Sequence, residues 1–221
     1  MFKKSDHSKK KLYETALGLF ASAGFEKTTM RDIAKKAGVA PGAIYYYFDS
    51  KESLIQEYYQ QLHVDHEKLL EGFFDIEKSF EKRLHHVVTS KIQIALPHQD
   101  MARALYRVAG HPDSSLSPFS EGSKELRLKS LALFEMLVEG SKDSFHKEVK
   151  KYLPKYLWLY QMGVILFWIY DRSAKSKKTF DFIDKTVPLI AWLNDLIQST
   201  LAAPFRKKII QVIKNFEPDM N

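Results

Sequence analysis

The sequence predicts an all-α protein, with an N-terminal three-helix helix-turn-helix head (residues 1–54) and a larger helical-bundle body (residues 55–221). About nine or ten helices are expected. Three observations carry that prediction. Apolar residues recur at helical spacing along most of the chain, and no run of alternating β-branched residues interrupts them. Residues 28–51, TTMRDIAKKAGVAPGAIYYYFDSK, read as two short helices joined by a tight glycine-containing turn.

The first helix carries Leu12, Ala16, Leu19, Phe20 and Ala23 on one face and ends at Gly24. Met30, Ile33, Ala34 and Ala37 form the next stripe. Thr29 and Asp32 frame its start as a capping box, and Gly38 stops it, since glycine adopts positive φ without a steric penalty. Pro41 suits the first position of a third, very short helix whose inner face is Ile44 and Phe48. Asp49 or Ser50 caps a fourth, with Glu52 three residues after Asp49. It runs past Leu54, Tyr58, Leu62 and Leu69 towards Phe73, long enough to link two domains.

In the body, helices are expected at about 79–96, 99–109 and 122–139, with the turn-rich loop Gly110–Pro118 between the last two. The apolar segments 144–171 and 180–202 follow, separated by the charged loop Arg172–Lys178. Each contains a proline, Pro154 or Pro188, where the helix should kink or restart. A final amphipathic piece spans 204–216.

Composition narrows the function. The chain has 221 residues, 45% of them hydrophobic and 28% charged, ordinary for a soluble domain with a sizeable core. The net charge of +7 suits a polyanionic partner, and residues 1–54 hold ten Lys/Arg against six Asp/Glu. A solvated basic tail would account for Lys9, Lys10 and Lys11 equally well. The absence of cysteine excludes disulfides and thiolate metal sites. The start has no apolar signal core, and the longest apolar run, Tyr156–Tyr170, is broken by Gln161 and too short for a membrane span. A cytoplasmic protein without membrane insertion is expected.

Residues 12–54, LYETALGLFASAGFEKTTMRDIAKKAGVAPGAIYYYFDSKESL, resemble the DNA-binding head of the TetR family of bacterial transcriptional regulators. The match runs through ALxLF, GF, TT, IAxxAGV, the IY–F block and SKESL. The resemblance implies an all-α homodimer bound to a palindromic double-stranded DNA operator, usually a repressor released by a small-molecule effector. Thr28, Thr29 and Lys51, at helix ends, are candidates for phosphate contact. Arg31, one turn into the second helix, is the candidate for a guanine contact through O6 and N7. By resemblance, Pro41, Gly42 and Ala43 take the base-facing start of the recognition helix, and Tyr45, Tyr46 and Tyr47 face backbone or bases. Two positions depart from the family pattern: Ala40 stands where a Ser or Thr cap is common, and Tyr47 where His is common. The plainer reading of the segment is a three-helix subdomain with an aromatic cluster, in which Tyr45 and Phe48 are partly core.

The run Tyr156–Tyr170 is apolar nearly all round and needs cover on both sides. A second copy is one cover, with Trp158, Ile165, Leu189, Leu193, Leu196 and Ile197 as candidate dimer-interface residues. A large monomer core is the other. Tyr106, Phe134, Tyr160, Phe167 and Trp168 lie on segments that could line an effector pocket for an apolar or amphipathic molecule. The alternative is a constitutive or activating DNA-binding protein whose body holds a protein partner. His63 with His66, and His85 with His86, lack the further ligands a metal centre needs, and a solvated helix face explains them. No metal, cofactor or catalytic residue is expected, and with no phosphate loop or nucleophile–base pair the chain does not read as an enzyme.

Overall fold

The computed structural model describes residues 2–215, and the regular structure among them is all helical, with no strand. The helices are α1 Phe2–Ala23, α2 Met30–Ala37, α3 Lys51–Leu70, α4 Phe73–Ile76, α5 Phe80–Ala95, α6 Gln99–Ala109, α7 Lys124–Glu139, α8 Lys147–Lys150, α9 Leu153–Tyr170, α10 Lys177–Gln198 and α11 Ala203–Asn215. Two of them, α4 and α8, are single turns of four residues. The end of the last helix expected at Phe216 lies outside the described residues.

The chain forms two compact units, Met1–Leu62 with Pro97–Lys124, and His63–Leu96 with Glu125–Asn221. In the first, Leu12, Ala16 and Phe20 of α1 pack with Ile33 and Ala34 of α2, Ile44, Phe48, Leu54 and Ile55, and Met101 and Leu105 of α6 join the same core. The lysines before Leu12 do not form a tail. Helix α1 starts well before the first apolar position, and Lys9 is bonded to Glu57 at 2.9 Å. Helix α2 begins with the expected capping box, Thr29 Oγ1 accepting from the Asp32 amide at 3.1 Å and Asp32 Oδ2 from the Thr29 amide at 3.0 Å. It ends at Gly38, whose φ of +70° lets its own N–H and that of Val39 cap the last carbonyls.

One local expectation changes and one open choice is settled. The third helix is one 3₁₀ turn, Ala43–Tyr46, with no side-chain cap, consistent with Ala40 where a capping hydroxyl would stand. Of the two cap candidates for α3, Asp49 and Ser50, it is Ser50 that caps. Ser50 Oγ accepts the Ser53 amide at 3.1 Å while Ser53 Oγ accepts the Ser50 amide at 3.2 Å. That reciprocal pair takes the place of an Asp49–Glu52 box.

In the second unit, α5, α9 and α10 pack on one another and α11 folds back against α8 and α10. Pro154 sits in the first turn of α9, where its missing N–H costs nothing, so the segment restarts there. Pro188 lies inside α10. Between them, the Asp171 carboxylate accepts bonds from the Ser173 amide (2.8 Å) and hydroxyl (2.7 Å) and from the Thr179 amide (2.9 Å) and hydroxyl (2.7 Å). That holds a turn in which Lys175 and Ser176 take positive φ. Burial pushes the Asp171 carboxyl up, but the bonds from Ser173 and Thr179 outweigh it and hold it at about 2. Arg83 is buried, its guanidinium donating to the carbonyls of Glu77 (2.6 Å), Leu137 (3.2 Å) and Phe74. No helix among the described residues is long and apolar enough to cross a membrane.

Candidate nucleic-acid interface

On the head, burial divides the predicted DNA residues into two sets. Arg31, Pro41, Gly42, Tyr45 and Tyr46 are exposed, with Tyr46 at 80%. Arg31 makes no hydrogen bond or ion pair among the described residues, so its guanidinium is unspent. Lys35, one turn further along α2, and Lys36 add exposed positive charge. Ile44 and Phe48, four residues apart, are buried and pin the 3₁₀ turn, so Tyr45 and Tyr46 point outward. Tyr47 and Ala43 are half-buried, and the Tyr47 ring stands edge-on to that of Tyr46 at 4.9 Å, bracing it.

Thr28 and Lys51 are placed differently from the expected phosphate contacts. Thr28 is buried and its hydroxyl donates to the Gly24 carbonyl at 2.8 Å. Lys51 Nζ donates to the Phe25 carbonyl at 2.7 Å and lies 4.5 Å from the centre of the Phe25 ring. Both tie the α1–α2 turn together inside the head. Thr29 remains exposed, but its hydroxyl also donates to Asp32 at 2.6 Å, and those bonds hold the Asp32 carboxyl below the usual range.

The candidate pocket residues are divided between the two units. Tyr106 belongs to the first unit, and Phe134, Tyr160, Phe167 and Trp168 to the second. Phe134 and Trp168 are buried, Tyr160 shares a 2.6 Å hydrogen bond with Thr186, and Phe167 is exposed and stacked on Phe182 at 5.0 Å. Of the dimer candidates, Trp158 is buried in its own chain, Ile165, Leu196 and Ile197 are half-buried, and Leu189 and Leu193 are exposed. The outward apolar stripe of α9 is Leu166, Phe167 and Tyr170, at helical spacing, and Trp192 joins Leu189 and Leu193 on α10. A run apolar all round gives no signal of which side faces out, so Leu166, Tyr170 and Trp192 were not legible.

The histidines require a correction. His63 and His66 lie on no solvated face, and each is 1% exposed. His66 Nε2 sits 3.0 Å from both the Val87 carbonyl and Ser90 Oγ, and burial, aided by the Lys91 charge, holds it at about 3. His85 pairs with Asp184 at 2.7 Å, and His86 stacks on Phe73.

A helix-turn-helix presenting Arg and Tyr from a small buried core, joined to an all-helical body, defines a class of two-part regulatory proteins. The model of the bacterial regulatory proteins of the tetR family matches residues 12–58, and that of the tetracyclin repressor-like C-terminal domain matches residues 83–214. The chain belongs to the TetR family. It is similar to the HTH-type transcriptional repressor KstR2 of Rhodococcus jostii, 42% identical over 64 residues, or 29% of this chain and 26% of that protein. The match thus spans about a quarter of the curated relative's length. Among solved structures, a TetR regulator from Nitrosomonas europaea aligns with TM-score 0.64 and 18% identity over 83% of this chain and 98% of its own. Bacillus subtilis FadR in complex with stearoyl-CoA aligns with TM-score 0.59 and 16% identity over 78% of this chain and 96% of its own. At these identities the solved structures establish the fold.

Proposed function

We propose that the chain is a homodimeric repressor whose heads, residues 1–54, bind a palindromic operator and whose body, residues 55–221, binds a small amphipathic effector that releases it. The observation that carries the DNA reading is the exposed, unpaired Arg31, together with exposed Tyr45 and Tyr46, on a head with a buried apolar core. Pro41, Gly42 and Ala43 offer no side-chain hydrogen bonds, so Arg31 and Tyr46 carry most base contacts, and Thr29, Lys35 and Lys36 meet phosphates. Thr28 and Lys51 act behind them by fixing the α1–α2 turn.

The second copy packs on the stripe Leu166, Phe167 and Tyr170 of α9 and Leu189, Trp192 and Leu193 of α10, completing a four-helix bundle. The effector is a molecule with an acyl-like chain, a class supported by the stearoyl-CoA complex of the B. subtilis neighbour. Helix α3 begins inside the head and contributes to both compact units, so ligand held at its far end changes the heads' spacing. A coupling of ~1–3 kcal/mol is typical of such linkage.

Footprinting on DNA upstream of the protein's own gene, with and without stearoyl-CoA, tests this. The expected result is a protected palindrome that disappears on adding ligand. Protection unchanged by acyl-CoAs of any chain length would defeat the ligand reading. Failure to enrich any sequence from random DNA would defeat operator binding.

A further inference from the structure

Helices α9 and α10 form an antiparallel hairpin whose register is fixed by two contacts. The Phe167 ring stacks on that of Phe182 at 5.0 Å, and the Tyr160 hydroxyl shares a hydrogen bond with that of Thr186 at 2.6 Å. Gly163, midway between Tyr160 and Phe167, therefore lies level with the turn of α10 between Phe182 and Thr186. It is exposed, and a β-carbon built on it would meet no atom within 4 Å. Glycine weakens a helix interior relative to alanine. Nothing in this chain's own packing requires it there, so a use for it has to come from outside the chain.

The bare apolar surface is arranged about that glycine. On α9, Gly163, Leu166, Phe167 and Tyr170 are all exposed and share one helix face. Tyr156, about two turns earlier on the same face, spends its hydroxyl on the Ile213 carbonyl at 2.8 Å, so α11 lies over that end. On α10 the bare residues Leu189, Trp192 and Leu193 stand towards the opposite end of the hairpin. Tyr170 is thus about two turns to one side of the Gly163 level, and Trp192 and Leu193 are about two turns to the other. The patch runs diagonally across the hairpin, with an apolar half on each side of Gly163.

A twofold interface uses the same patch on both copies, each residue meeting another and being met by it in turn. A half-turn about an axis at the Gly163 level, across the diagonal, sets Tyr170 of each copy over Trp192 and Leu193 of the other copy. That self-match is particular to a second copy of this chain. The six exposed apolar side chains bare on the order of 600 Å², most of the ~800 Å² that each partner of a standard-size interface buries.

We propose that two copies cross at Gly163. The α9 helices approach most closely there, because glycine leaves room for the backbone of the second helix, and the aromatic end of each α9 seats on α10 of the other copy. This rests on the homodimer reading above and adds where its twofold axis lies.

The chain has no cysteine, so a single introduced one reports only on contact between copies. Full-length Gly163→Cys, oxidised with copper phenanthroline, should run as a linked dimer on non-reducing electrophoresis, since a disulfide needs Cα atoms within about 7 Å. Tyr170→Cys and Leu193→Cys should not link to themselves, because each lies about 10 Å along the hairpin from the axis and about 20 Å from its own twin. Mixed and left to exchange subunits, those two variants should link to each other. Gly163→Leu should keep wild-type helicity by circular dichroism, because its own chain leaves that space open. In sedimentation equilibrium it should weaken the dimer about tenfold or more.

A wild-type dimer in which Gly163→Cys stays unlinked overturns the crossing point and leaves the homodimer reading standing. So does a Gly163→Leu dimer as tight as wild type, or self-linkage of Tyr170→Cys. A wild type that sediments as a monomer removes the homodimer reading, and the crossing falls with it.

Discussion

Replacing Arg31 with Ala should cost operator affinity and almost nothing in stability. The side chain is exposed and makes no bond within the described chain, so the fold should lose no more than about 0.5 kcal/mol. A bidentate arginine–guanine pair contributes ~1–3 kcal/mol of discrimination. A homodimer on a palindrome carries the change twice, giving ~2–6 kcal/mol, or about 30-fold to about 20,000-fold at ~1.4 kcal/mol per tenfold. Fluorescence anisotropy on the footprinted operator and on scrambled DNA of the same length, at fixed salt, separates this from general weakening. Specific affinity should collapse towards the scrambled value while binding to scrambled DNA falls only slightly. Lys36→Ala is the control, expected to weaken both DNAs alike and to lower the salt slope by ~1 for each phosphate it no longer neutralises. Equal fold losses for Arg31→Ala on both DNAs would refute the reading of Arg31 as a base contact.

Lys51→Met should lower the head's melting temperature and weaken binding to every DNA equally, because it removes a bond to the Phe25 carbonyl rather than to a base. A drop confined to operator DNA would contradict that placement. Trp192→Glu with Leu193→Glu should leave helicity unchanged by circular dichroism yet yield monomers in sedimentation. A persistent dimer would move the interface off α9 and α10. His66 is neutral in the folded chain, its value held at about 3 against an ordinary 6.5. Its contribution is therefore complete above about 6.5 and lost as pH falls from there towards 3. His66→Gln should flatten that part of the urea-denaturation pH profile, and an unchanged slope would count against a buried neutral imidazole.

Much of the head could be read from the order of residues alone. The stripe Leu12–Ala16–Leu19–Phe20, the Thr29–Asp32 cap, the stop at Gly38 and the inward pair Ile44 and Phe48 are local rules. Each depends on neighbours within about one or two turns, and each is a feature of the folded chain. Which residue caps α3 stayed open locally, because Asp49 and Ser50 stand side by side, and the Ser50–Ser53 pair settles it.

Beyond that range the sequence is silent for a physical reason. Whether Lys51 reaches a phosphate or the Phe25 carbonyl depends on a turn 26 residues away. Whether His63 faces water depends on where α5 lies, and which side of the apolar α9 is left bare depends on which helices cover the other. Periodicity determined the all-helical class and the helix-turn-helix, because hydrogen bonding and side-chain spacing within a helix are properties of adjacent residues. The tertiary structure decided which cations are free, which imidazoles are buried and which aromatics are exposed, because burial is settled by what packs against a face.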